Sequence, residues 1–329
     1  MPSRPLVHIA LPAAVLVALT IDAGRAHAQN AAGVAQSQLC NRADDAAEGR
    51  ARAQAASRQG GAAGAFAQGC LALAERRYEP AAAAFEQAVR AEEGNAVYHF
   101  FLGQAYGIQA QRASVFAKAG LARKVKAAFE RAVALDPDYL DAREGLMQYY
   151  IQAPGFMGGS EQKGREQAFE IRKRSPYRGA FLYAQLAARS KDGAGVVREL
   201  EGLTRQFPDS VAPYLQLAAT QLQQRNTAGA WATAERLLRA RPDARAAQYA
   251  VGRVAAESGE QLDRGAAALG RYLQARPGPG DPPLANAHWR LGAIYERQGK
   301  KAEARAEYET ALRLNPGLGE VKTAVARVR

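Results

Sequence analysis

Six prolines divide this chain at nearly constant intervals: Pro137, Pro176, Pro208, Pro242, Pro277 and Pro316 are separated by 39, 32, 34, 35 and 39 residues. A proline has no amide N–H to give to a helix and clashes with the turn before it, so each is read as the end of one. Between them, runs rich in Ala, Leu and Arg place apolar residues at i, i+3, i+4 and i+7, the helical period. No stretch alternates as a strand would. Each interval holds two such helices, so the chain reads as a row of helix pairs.

The clearest copy is "HWRLGAIYERQGKKAEARAEYETALRLNP", His288 to Pro316. Leu291, Gly292, Tyr295, Gly299, Ala304, Tyr308, Ala311 and Pro316 follow one another with the spacing W-x2-L-G-x2-Y…A-x3-F…P, and the stretch resembles the tetratricopeptide repeat. Gly292 and Ala304 are small where the two helices of a pair must touch, and Tyr295 and Tyr308 fill space between them and their neighbours. Gly299 serves the turn. The first copy, with Gly69, Tyr78, Ala81, Phe85 and Ala88, and the second, with Leu102, Gly103 and Tyr106, match well. The second has a first helix and turn about ten residues too long, through "GIQAQRASVFAKAG".

Seven pairs are expected, starting near Ala62, Ala96, Leu140, Gly179, Val211, Arg245 and Ala285. The fold class expected is all-α, a right-handed α-solenoid over residues 62–316, with a capping helix at 317–329. Residues 29–61 read as an Ala/Gly-rich lead-in, with a helix at Gln36 to Gln59 and a break at Gly60-Gly61.

Ahead of this, Leu6 to Ile21 is almost wholly apolar, follows Arg4, and precedes Ala26-His27-Ala28. These are the parts of a secretory signal peptide, too short for a comfortable membrane span. Residues 1–28 are expected to be cleaved after Ala28, leaving a periplasmic or secreted protein with no transmembrane span. The only two cysteines, Cys40 and Cys70, are an even pair in an oxidising compartment and are expected to form a disulfide. In the chain-entropy account such a bond stabilises by about 3–4 kcal/mol.

The net charge of +12 is concentrated in "ARKVKAAFER" and "IRKRSPYR". In an exported chain the available anions are envelope polymers, lipid head groups and acidic peptides, so no nucleic-acid partner is expected. Catalysis is not expected either. His99 and His288 stand alone at the fourth position of a first helix, with no H-x-x-x-H spacing for zinc and no nucleophile elbow. No metal and no cofactor is implied.

"GFMGGSEQKGRE", Gly155 to Glu166, is the one stretch with the outline of a phosphate loop. A helical segment precedes it where a strand belongs, and Arg165-Glu166 stands where the loop needs Lys-Ser/Thr. It is read as a turn about five residues longer than the repeat requires, with Ser160 capping the next helix. Phe156 and Met157 sit at its tip, either folded back on neighbouring turns or offered to a partner.

The resemblance implies a protein- or peptide-binding scaffold whose groove is lined by the first helix of each pair. Its groove positions near the second, fifth, ninth, twelfth and thirteenth residues map to Phe100, Glu144, Phe181, Leu215, Tyr249 and Trp289 (fifth) and to Gln104, Gln148, Gln185 and Arg253 (ninth). The Lys/Asn/Arg carboxylate clamp of chaperone-binding members is not found. The partners expected are therefore a protein or peptide, such as an envelope protein, in this groove. The alternative is an envelope-associated structural protein docking its basic face on anionic polymers or membrane.

Overall fold

The structure, a computed structural model, describes residues 36–41, 43, 47–274, 278 and 280–328. The leader at 1–28, its cleavage site and the Arg276-Pro277 step lie outside the described residues. The chain divides into two compact units, Met1–Gly179 and Ala180–Arg329. Among the described residues there is no strand.

In the first unit, residues 36–41 are helical. They precede α1 (Ala47–Ser57) and three pairs: α2 (Gly61–Ala74) with α3 (Tyr78–Ala91), α4 (Ala96–Arg112) with α5 (Val115–Leu135), and α6 (Leu140–Gln152) with α7 (Glu161–Arg174). The division falls inside α8 (Pro176–Arg189). The second unit continues with α9 (Gly193–Gln206), α10 (Val211–Gln223), α11 (Thr227–Ala240), α12 (Arg245–Ser258), α13 (Leu262–Leu273), α14 (Leu284–Arg297), α15 (Lys301–Leu314) and the cap α16 (Gly319–Arg327). These are the seven expected pairs plus the cap. The fourth starts three residues early: a helix ends just before Pro176 as expected, at Arg174, but Pro176 also opens the next one. It occupies the first position of α8, where its missing N–H has no partner to lose.

Helix starts carry side-chain caps that the sequence supplies. Asn95 accepts from the amides of Val97 and Tyr98, Ser160 from Lys163, Asp192 from Gly195 and Asn226 from Gly229. The turn inside most pairs is one recurring device. The second residue after the first helix turns left-handed at Arg76 (φ 58), Lys191 (φ 57), Arg225 (φ 60) and Gly299 (φ 76). The amide that follows then reaches back to a carbonyl in the last turn: Arg77 to Ala72, Asp192 to Ala187, Asn226 to Gln221 and Lys300 to Tyr295. This satisfies helix-end carbonyls that would otherwise be orphaned. Only the last copy uses glycine, so only that one announces itself in the sequence.

Within pairs, a glycine of the first helix receives an apolar side chain from the second. A Cβ on Gly69 would lie 2.4 Å from Phe85, on Gly103 2.8 Å from Phe129, on Gly252 2.2 Å from Leu269 and on Gly292 2.6 Å from Tyr308. Along α10, α12 and α14, first helices also touch one another, as do α4 and α6, so they form a layer distinct from the second helices. The cap α16 and the residue that ends it bury Val321, Ala324 and Val328 against Tyr308 and Ala311 of α15.

The turn from α6 to α7 is a short 3-10 helix, Gly155–Met157. Eight residues lie between the two helices, against three between α10 and α11 or α14 and α15. Ser160 caps α7 as expected. Phe156 stands out at 85% exposure, whereas Met157 is half-buried and its carbonyl accepts from the Tyr149 hydroxyl. The tip is thus divided between the two readings: the phenylalanine projects and the methionine folds back.

Candidate binding faces on the first helices

The first-helix layer of the first unit is floored by rings. Phe66 stacks on Tyr98 at 4.8 Å between centroids and meets Phe101 edge-on at 5.4 Å. Phe100 packs against Phe101 and Tyr139 at 5.1 Å each and against Phe129 at 6.0 Å. Expected in the groove, Phe100 is 6% exposed and belongs to this core. The same correction applies to Tyr249, 4% exposed and packed on Tyr272 at 5.3 Å. Both rings face between repeats because the fifth position lies at the edge of the buried stripe, and a large apolar side chain there gains most by turning inward.

The other mapped positions divide by what holds them. Glu144 accepts from Arg178 at 2.6 and 2.7 Å, and Arg178 also meets Asp141 at 2.6 Å, so this carboxylate is committed within the first unit. Gln104 is half-buried, and Gln148, also half-buried, accepts from Gln152 at 2.9 Å. Phe181 is half-buried and Gln185 is exposed. Leu215 is partly covered by the second unit's core.

Arg253 and Trp289 are brought together with two residues that lie outside the family's groove positions or outside the mapping. Arg290 is 9% exposed, with its guanidinium 5.2 Å from the Trp289 ring and 5.4 Å from the Tyr249 ring. It donates to Glu257 at 3.1 Å, and the same carboxylate oxygen accepts from Arg253 at 2.8 Å. The Arg290 Nε has no partner. Two guanidinium groups therefore share one carboxylate across α12 and α14, leaving one positive charge and one buried donor over beside an indole. Such a cation is attractive both to a ring face and to an incoming carboxylate.

At the N-terminal side, the expected disulfide between Cys40 and Cys70 is formed. Gln36 donates to the Tyr98 hydroxyl at 3.2 Å and accepts from Asn95 at 3.2 Å, and Ser37 shares a hydrogen bond with the Tyr139 hydroxyl at 3.2 Å. Burial, and then Glu92, pushes Tyr98 up to about 12, and burial raises Tyr139 further, so both phenols stay protonated.

Neither His99 nor His288 is free. The His99 ring meets the Glu93 carbonyl at 3.0 Å and is held below its ordinary pKa by burial, while His288 Nδ1 meets Glu307 at 2.6 Å. Among the described residues no three His, Cys, Asp or Glu converge to hold a metal, and no helix is long and apolar enough to cross a membrane.

The sequence pattern of the tetratricopeptide repeat matches residues 285–318. No curated protein matches the chain. Among solved structures, a tetratricopeptide repeat protein from Parabacteroides merdae is 14% identical, with 81% of this chain and 98% of that one covered at a TM-score of 0.51. Yeast Tom70 is 12% identical, with 81% of this chain and 56% of that one covered at a TM-score of 0.56. At these identities the likeness is one of fold. Residues 285–318 thus carry a tetratricopeptide repeat, and the helix pairs around them share the fold of tetratricopeptide-repeat structures.

Proposed function

We propose that this protein is a non-catalytic scaffold, exported to the bacterial periplasm, that holds a segment of a partner protein on the first-helix layer of its second unit. The observation that carries this is the shared carboxylate: Arg253 and Arg290 on Glu257, with Trp289 alongside. Leu215, Gln185 and Trp289 add partly exposed surface of mixed character. The segment that fits presents a carboxylate beside an apolar side chain. Export is supported by the apolar Leu6–Ile21 run and Ala26-His27-Ala28. Selection from a random peptide display library on the immobilised chain tests the reading. Recovered peptides should share an Asp or Glu next to an apolar residue, and a failure to enrich any peptide would contradict it.

A second reading has its own observation. Residues 94–129 hold no Asp or Glu but carry Arg112, Lys118, Arg123, Lys124 and Lys126, and Phe116 at the start of α5 is 96% exposed. Such an edge, with the projecting Phe156 on the next turn, suits docking on an anionic envelope polymer or membrane. Envelope association that vanishes in high salt, and survives substitution of Arg253, would favour it.

A further inference from the structure

Residues 36–41 cross three successive first helices of the first unit. Cys40 is bonded to Cys70 of α2, one residue after the glycine that receives Phe85. Gly103 of α4 receives Phe129 in the same way, so Cys70 corresponds to Gln104, a ninth, groove-facing position in this family of repeats. Gln36 bridges the cap residue Asn95 and Tyr98 of α4, and Ser37 reaches Tyr139 just before α6. Leu39 lies against the ring core, and Cys40 and Ala43 are buried. The two tyrosine rings are themselves fully buried, yet each presents its hydroxyl to this segment. A strip with an amide, a hydroxyl and a small apolar residue, laid across consecutive first helices and bonded through their polar tips, has the arrangement of a bound peptide.

We infer that the first-helix face of the first unit is a peptide-binding site occupied by the chain's own residues 36–41 and Ala43, and that reducing the Cys40–Cys70 bond opens it. Among the described residues, the disulfide ties segment to face together with three side-chain hydrogen bonds and a few apolar contacts. In the opening step a dithiol attacks the sulfur of Cys40, the less buried of the two residues. The two electrons and two protons of the dithiol pass to Cys40 and Cys70, which become thiols, and the dithiol closes to its own disulfide. The partner admitted would resemble the segment displaced, a short helix with Gln or Ser, then Leu, then small residues. This deepens the proposed reading by assigning a second site on the same kind of face; the readouts lie in the first unit of the full chain, so failure here leaves the Arg253–Arg290 site untouched.

Hydrogen exchange read by mass spectrometry on the full chain, with and without dithiothreitol, tests the opening. Residues 36–43 should lose at least tenfold protection on reduction, while α2, α4 and α6 keep theirs. Persistent protection of 36–43, or joint loss across α2 and α4, would overturn the inference, since the bond would then be a staple of the core. A Cys40→Ala, Cys70→Ala chain should reproduce the reduced pattern without reductant. The site itself is tested with a fluorescent peptide of residues 34–47 bearing Cys40→Ser. It should bind a Gln36→Ala, Ser37→Ala, Cys40→Ala chain at least tenfold more tightly than the oxidised wild type, and equal or absent binding to both would overturn the assignment.

Discussion

The ring of Tyr308 lies on the bare backbone of Gly292, so close that a Cβ there would sit 2.6 Å from Cδ1 and 3.2 Å from the carbonyl oxygen of Ala304. The ring is itself pinned, its hydroxyl donating to Glu296 at 2.6 Å. It cannot swing aside without breaking that bond. Gly292→Ala should therefore cost about 1–3 kcal/mol by overpacking, against the small gain that alanine normally brings to a helix. Thermal or urea unfolding followed by circular dichroism measures it, and an unchanged or raised midpoint would show that the pair can spread.

The left-handed turn residue makes a paired prediction. Arg225 adopts φ 60 where the seventh pair has Gly299 at φ 76. A side chain in that conformation costs about 1–2 kcal/mol, partly offset by the greater freedom glycine has when unfolded. Arg225→Gly should raise stability by about 0.5–1 kcal/mol and Gly299→Ala should lower it by about 1 kcal/mol. Equal signs for the two substitutions would contradict the shared geometry.

Acid should loosen the C-terminal cap. The Arg327 guanidinium, with the Tyr308 hydroxyl, holds Glu296 below its ordinary value of 4.5 despite partial burial. A depressed carboxylate contributes stability that is complete above the unfolded pKa and is lost as pH falls through the folded one. Exchange of α16 amides, corrected for intrinsic rates, should thus rise a few-fold as pH drops below 4.5. The arginine is largely exposed, so the pair contributes less than about 1 kcal/mol. In Arg327→Gln the α16 amides should exchange faster at neutral pH and show a shallower acid dependence.

Phe156 gives the contrasting case. At 85% exposure its ring stabilises little, and Phe156→Ser should change unfolding free energy by less than about 0.5 kcal/mol. A drop of several kcal/mol would mean the ring is covered in solution.

The architecture was largely legible because Gly69, Gly103 and Gly292, with their aromatic partners, mark the helix contacts within pairs. Pro176 marks the end of α7 correctly, but the expected start of α8 falls three residues late, since nothing in the sequence says that the same proline also opens the next helix. The binding face was legible only in part. Fifth-position rings sit on the boundary of the buried stripe, and periodicity does not say that Phe100 turns inward while Trp289 stays half-covered. Arg290 had no signal beyond its place beside Trp289, because its role depends on Tyr249 and Glu257 a repeat away. Residues 36–41 read as helical, but for their placement on the first helices the only clue was the Cys40, Cys70 pair.

Tyr249 is unsuitable for probing the binding face, since its replacement would open a cavity. Arg253 is better placed: Arg253→Gln removes one charge and leaves the Arg290–Glu257 pair intact. The most direct measurement is fluorescence anisotropy of a library-selected acidic peptide and its Asp→Asn or Glu→Gln analogue against wild type and Arg253→Gln. The account predicts that the acidic peptide binds wild type at least tenfold more tightly than its amide analogue, and that Arg253→Gln removes most of that preference. Equal affinities for the two peptides, or a preference undiminished in Arg253→Gln, would contradict it.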